Sequence, residues 1–308
     1  MALGEVGRNP LLPRSTAEGA AALRAAGALE PDPAVRCPDD FAAGFLGGFN
    51  VSSLAKHRLT RPLFLRRANA QVPGAYPYEI ARTKFIDEAL EAEAGSGLDE
   101  LVLLGAGLDS RPYRFTELLR GVRVFEIDHP TSQSSKRQRL MRLLGHVPEG
   151  VSFVPVDFTR EELAARLASA GHDERAATMF VWSGVSPYLP EEAVSAVLEW
   201  VAGHANPRTS IVFDACWAEA IDGSRDYFGA AELRRAVAKV GEPLRWGIPE
   251  GRVDEALSRF CLRVVAAYDE NEAVSRYLTR GDGTPLGRPY GFGVLVHARV
   301  GSDGASGN

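Results

Sequence analysis

The sequence predicts an α/β fold with a doubly wound, mostly parallel sheet, and three observations carry that prediction. Short apolar or β-branched runs alternate with helical segments from residue 100 to about residue 215. The first run, 101–104, leads into Gly105-Ala-Gly107 and then a helix start, while acids, Asp128 and Asp157, close the next two. Ligands of an open parallel sheet sit beyond the carboxyl ends of its strands, so the turn and both acids converge on one place.

In chain order, residues 15–29 have the pattern of an alanine-rich amphipathic helix closed by Pro31 and Pro33, and residues 40–46 that of a short second one ending at Gly47-Gly48. Prolines and tyrosines in 60–77 show no clean period, whereas 79–93 reads as a helix ended by Gly95-Ser96-Gly97. Residues 1–80 are therefore expected to form a helical cap or lid and 81–300 the main domain. Strands are predicted at 101–104, 122–127, 151–156, 179–182 and 211–213. Thr159-Arg-Glu-Glu162 reads as a capping box, and Pro190 opens a helix running to about residue 204. A helical insertion at 217–260 is expected to contribute to a ligand pocket. Residues 262–268 and 292–300 then supply two late strands on a long connection, completing seven with an antiparallel last strand. Residues 301–308 read as a polar tail.

With 308 residues, 45% hydrophobic and 24% charged, the chain can bury a sizeable core. A net charge of -5 offers no field for a polyanion, which argues against nucleic acid and anionic membranes. The basic stretches Arg66-Arg67 and Lys136-Arg137-Gln138-Arg139 read as solvated helix faces. Cys37, Cys216 and Cys261 lack ligand or disulfide spacing, no metal site is expected, and no apolar run reaches the 18 or so residues of a membrane span. Cytoplasmic residence, a small-molecule partner and a possible homodimer are the corresponding expectations.

Gly105 and Gly107 let the backbone approach a ligand closely, and the following helix start offers unpaired N–H groups. Asp128 stands where a carboxylate can accept from both hydroxyls of a ribose. Ser110 occupies the place of the third glycine that a pyrophosphate cradle requires, and no GxxxxGK occurs. Asp157 can accept from an adenine amine with Phe158 beside the ring, or cap a helix next to Thr159. Two nucleoside-binding acids without a pyrophosphate cradle point to S-adenosylmethionine.

Five segments carry a further resemblance: Arg82-Thr-Lys-Phe-Ile-Asp87, Leu104-Gly-Ala-Gly-Leu-Asp-Ser-Arg-Pro-Tyr-Arg114, Glu126-Ile-Asp-His-Pro130 with Lys136, Val156-Asp-Phe158, and Gly184-Val-Ser-Pro-Tyr-Leu189. In this order they resemble the leucine carboxyl methyltransferase family, over roughly residues 50 to 215. The resemblance implies a class I methyltransferase fold. It also implies that Arg82 pairs with the cofactor's methionine carboxylate, with Gly105 at the same end, Asp128 on the ribose, and Asp157 and Phe158 on the adenine. Lys56 corresponds to a second carboxylate-binding position, and Ala106, His129 and Ser183 fall in the same cofactor set. Ser183 stands where the family usually has a glutamate that holds the cofactor's amine end, so Ser183→Glu is expected to tighten cofactor binding.

The resemblance implies in-line methyl transfer to a carboxylate, or to a hydroxyl, of a small aromatic or polyketide metabolite; a protein carboxyl terminus is the in-class alternative. An ionised carboxylate needs no base, whereas a hydroxyl would want one, for which His57 and His129 are the candidates. No catalytic residue is singled out. Tyr78 and Tyr188 are candidate acceptor-binding residues, with Tyr76, Trp182 and Trp217 as apolar walls. Two alternatives stay open: a fold that holds the cofactor without methylating, in a structural or cyclase-like role, and a nicotinamide oxidoreductase.

Overall fold

A computed structural model describes residues 15–47, 51–156, 162–239 and 241–301. Four helices precede the sheet: α1 (Thr16–Gly27), α2 (Ala42–Phe45), α3 (Arg61–Gln71) and α4 (Ala75–Gly95). The alternating region follows: β1 (Glu100–Leu104), α5 (Arg111–Arg114), β2 (Arg123–Asp128), α6 (Pro130–Leu144), β3 (Val151–Pro155), α7 (Leu163–Ser169), β4 (Thr178–Trp182), α8 (Glu191–Ala202) and β5 (Ser210–Cys216). Then come α9 (Ala218–Asp222), α10 (Ala230–Lys239), α11 (Val253–Ser258), β6 (Leu262–Tyr268), α12 (Glu270–Tyr277) and β7 (Gly293–Val300).

The seven strands form one sheet in the order β3-β2-β1-β4-β5-β7-β6. The first five are parallel, while β7 runs antiparallel to both β5 and β6, as the late position of these strands predicts. Strand order reverses between β1 and β4, which opens a crevice at their carboxyl ends. Strands β1, β4 and β5 are buried along their whole length, which is why they read as unbroken apolar runs.

Alternate side chains serve opposite faces. Val102, Leu104, Phe180, Trp182 and Phe213 pack with Val194 and Leu198 of α8 on one face, while Leu101, Leu103, Met179 and Val181 pack with Ile86 and Leu90 of α4 on the other. Burying each such side chain stabilises the fold by about 1.5–3 kcal/mol. A third cluster joins Ala21, Ala22, Ala25 and Ala26 of α1 to Phe45, Phe64 and Leu140. Helix α4 continues unbroken through residue 80, so one helix belongs both to the N-terminal layer and to the sheet.

Several expectations are corrected. Residues 61–71 form a regular helix despite the missing period, because α3 lies on the surface with only Phe64 buried; Pro62 is tolerated in its first turn. The 217–260 region is helical only in part, its irregular stretch fixed by a bridge between Trp217 and Ile248. The long connection before β7 contains α12, opened by a capping box of Asp269 and Glu272. The basic stretch of α6 is not a solvated face: Lys136 is 1% exposed and paired with Glu126, and Arg139 pairs with Glu18. Arg66 and Arg67 are exposed as expected. The predicted capping box at Thr159 lies outside the described residues.

Candidate functional site

Strand register assembles the site. Leu104 pairs with Ile127, Leu103 with Val181, and Trp182 with Phe213, so Gly105, Asp128, Ser183 and Asp214 fall into one row at the carboxyl edge of the sheet. Helix starts face the same edge, as right-handed crossovers require.

Gly105 adopts φ +68°, and a Cβ there would lie 2.6 Å from Val185 Cγ2, so the turn after β1 touches the turn after β4. Ala106 N donates to Ile127 O (2.9 Å), pinning the turn against β2. Asp128 Oδ2 accepts from Gly107 N and its Oδ1 from His129 N, both at 2.7 Å. Partial burial raises the Asp128 pKa, and these two N–H groups oppose the rise. Each oxygen accepts one of these bonds and has acceptor capacity for a second.

Arg82, from α4, reaches the other side of the crevice. Its Nη1 donates to Asp214 Oδ2 (2.7 Å) and its Nη2 to Glu79. Burial alone would lower the Arg82 pKa, but Asp214 and then Glu79 reverse this, so the guanidinium stays charged. Asp214 Oδ1 accepts from Gly184 N (2.6 Å), and Gly184, at φ +68°, leaves only 2.9 Å between a built Cβ and Arg82 Nη1. Glu79 also pairs with Arg24 of α1 (3.0 Å), whose Nη2 donates to Leu108 O (2.7 Å) just after the glycine turn.

Both arginine-bearing motifs meet in a second buried network: Asp87 accepts from Arg111 (2.8 Å) and Arg114 (2.9 Å). Although burial opposes it, Arg111 and Lys136 hold the Asp109 carboxyl down to about 2. These residues lock the helix start behind the glycine turn.

Tyr78 and Tyr188 both stand around Arg82, and Tyr290 joins them, its ring centroid 4.2 Å from that of Tyr78 and 4.8 Å from Phe292. Burial pushes all three phenols up, so they stay protonated. Among the described residues none of the three hydroxyls has a hydrogen-bond partner.

Other expected residues lie elsewhere or are otherwise engaged. Lys56 donates to Leu46 O (3.3 Å) within the cap. His57 and His129 are exposed, and His129 Nδ1 accepts from Thr131 N (3.3 Å) as the cap of α6. Trp182 and Trp217 are core residues rather than pocket walls, and Tyr76 bridges Glu30 and Arg61. Ala106 is buried at the turn and Ser183 is half-buried beside Gly184. Asp157 and Phe158 lie outside the described residues. Asp214 and Tyr290 escaped the sequence reading. Asp214 left one signal, a carboxylate inside the otherwise apolar run Ile211-Val-Phe-Asp-Ala-Cys216.

Comparison with known proteins agrees with this architecture. A DUF574 family protein from Streptomyces avermitilis superposes over 91% of this chain and 96% of its own length, with a TM-score of 0.57 at 12% identity. A protein from Thermobifida fusca, named provisionally as a methyltransferase, does so over 89% and 96%, with a TM-score of 0.56 at 16% identity. Both show the class I methyltransferase fold.

By sequence, YktD of Bacillus subtilis is 31% identical over 169 residues, 55% of either chain. A Frankia alni relative is 35% identical over 189 residues, 61% of this chain and 63% of its own, so the match spans little more than half the length of these relatives. A Mycolicibacterium gilvum relative is 33% identical over 242 residues, 75% of this chain and 72% of its own. All three are named, provisionally, as S-adenosyl-L-methionine-dependent methyltransferases. Residues 17–202 match the leucine carboxyl methyltransferase family, and the chain belongs to that family.

Proposed function

We propose that this chain is an S-adenosyl-L-methionine-dependent O-methyltransferase acting on the carboxylate of a small aromatic or polyketide-like metabolite. The residues at the sheet edge fit that cofactor. Asp128 offers two carboxylate oxygens for the ribose hydroxyls, and Gly105 leaves the close approach that a side chain would fill. Arg82 offers a planar guanidinium for the methionine carboxylate. When bound, the cofactor supplies an electrophilic methyl on a sulfonium sulfur.

The observation that carries the acceptor assignment is the set of groups around Arg82. Tyr78, Tyr188 and Tyr290 present protonated, unpartnered hydroxyls and aromatic faces. Every histidine of the chain is placed elsewhere or spent. His172 and His204 bond each other at the opposite end of the sheet, beside the start of β1, and His297 bonds Glu93. His57, His129 and His146 are exposed. Glu79 and Asp214 are held by Arg82. Such donors suit an acceptor that arrives ionised, so the protein's work is orientation and exclusion of water. The stacked rings of Tyr290 and Phe292 favour a flat acceptor.

Incubation with the cofactor and a panel of aromatic carboxylic acids, each matched with its phenol, tests this. The expected product gains one methyl and releases methanol in mild alkali, as a methyl ester does. An alkali-stable product would be a methyl ether and would overturn the carboxylate assignment.

A further inference from the structure

We infer that Asp214 is the anion that receives the α-ammonium of the cofactor's amino-acid end. The inference rests on the reading that S-adenosylmethionine spans the crevice from Asp128 to Arg82.

Register places Asp214 in the same row as Gly105 and Asp128, on the far side of the β1–β4 crevice. A nucleoside seated at Asp128 therefore directs its amino-acid end toward β4 and β5. That end is a zwitterion, and a buried zwitterion needs a cation for its carboxylate and an anion for its ammonium. Arg82 is the cation, and its two neighbouring carboxylates are Glu79 and Asp214. Glu79 is shared by two guanidinium groups, Arg24 and Arg82, and is compensated without a ligand. Among the described residues, Asp214 has one guanidinium, which it shares with Glu79, and one backbone donor, Gly184 N.

The exchange of partners closes without an unpaired charge. When Arg82 turns its Nη1 edge to the cofactor carboxylate, Asp214 loses part of its compensation and the ammonium replaces it. Gly184 N keeps the carboxylate aimed, and Ser186 Oγ donates to the Asp214 carbonyl (2.7 Å), which fixes the backbone beneath it. Ser183, level with Asp214 but uncharged, supplies no competing anion.

Calorimetry on the full chain tests the inference with two probes. S-adenosylhomocysteine carries the ammonium, while 5′-methylthioadenosine lacks the whole amino-acid end. Asp214→Asn is expected to weaken S-adenosylhomocysteine by about 10- to 100-fold, the worth of one charge-assisted hydrogen bond, and to leave methylthioadenosine within about twofold. Ser183→Glu in the Asp214→Asn background is expected to recover part of the loss. Equal weakening of both probes, or weakening of neither, overturns the inference. Should Asp214→Asn fail to fold, the wild-type chain still decides: deaminated S-adenosylhomocysteine must bind more weakly than the parent, and equal affinity overturns the assignment. A wild-type chain that binds neither adenosyl probe refutes the cofactor reading itself, a result distinct from these.

Discussion

Lys136 holds its Nζ 2.9 Å from Glu126 Oε1 and 3.4 Å from the carbonyl of Ala106, so that β2, α6 and the glycine turn share one buried cation. Both side chains are 1% exposed, and Tyr113 completes the group by donating to Glu126 Oε1 (2.6 Å). Burial raises the Glu126 pKa and Lys136 opposes it, so the pair is mutually dependent.

Lys136→Met is expected to lower the unfolding free energy by about 3–5 kcal/mol in urea titration, because it strands a buried carboxylate. With its folded pKa raised further, Glu126 costs most where the unfolded state is ionised. The loss should therefore grow as pH rises from about 5 to about 8. Adding Glu126→Gln should recover most of it. A single variant as stable as wild type across this range would refute the pairing.

Gly184→Ala tests the contact between the β4 turn and Arg82. The substituted residue would hold φ +68° and set its Cβ 2.9 Å from Arg82 Nη1, so the guanidinium must move off Asp214. Backbone strain of about 1–3 kcal/mol is expected in the unfolding free energy. Cofactor affinity should fall by at least about tenfold, which corresponds to about 1.4 kcal/mol. Unchanged affinity in a variant that shows the strain would separate Arg82 from the cofactor site.

The sheet and the glycine turn at its carboxyl edge were legible because they depend on local patterns. Apolar runs, the Gly105-Ala-Gly107 turn and Asp128 announce themselves within a few residues. Asp214 did not, since its partners Arg82 and Gly184 lie 132 and 30 residues away and only register brings them level. Lys136 misled for the opposite reason: flanked by Arg137 and Arg139 it reads as one solvated face, yet its neighbour in space is Glu126 from the middle of a strand. Surface helix α3 had no apolar stripe to read, because it buries one side chain.

Far from the crevice, at the start of β1, His172 and His204 face each other through Nε2 atoms 2.9 Å apart, with room for one proton between them. His204 Nδ1 donates to Trp200 O (3.0 Å), and His172 Nδ1 bonds Glu100. Burial lowers the His204 pKa, with His172 adding to the effect and Glu174 and the Trp200 and Val201 carbonyls opposing it. A depressed pKa gives stability that is present above the unfolded value of about 6.5 and lost as pH falls through the folded value. Unfolding free energy should therefore decline below about pH 6.5, by at most about 1.4 kcal/mol per pH unit from this group. His204→Gln, which retains an acceptor for His172, should flatten that slope and leave cofactor affinity unchanged. An equally steep slope in the variant would assign the acid sensitivity to another group.

Arg24 joins the N-terminal layer to the glycine turn after β1 through three directions of one guanidinium: Asp39 at 2.7 Å, Glu79 at 3.0 Å and the Leu108 carbonyl at 2.7 Å. Its side chain is 12% exposed, and a lysine has no planar fork to reproduce the three bonds. Arg24→Met leaves Asp39 to Arg114 alone and gives Glu79 wholly to Arg82, which draws that guanidinium away from Asp214. Stability should fall by about 3–5 kcal/mol, and S-adenosylhomocysteine binding should weaken although Arg24 touches no ligand. Hydrogen exchange gives the discriminating readout. Amides of α1 and of residues 105–110 should exchange faster, while those of β4 and β5 keep their protection relative to the global unfolding rate. Uniform acceleration over the whole chain would mean that Arg24 contributes only general stability and does not couple the cap to the turn.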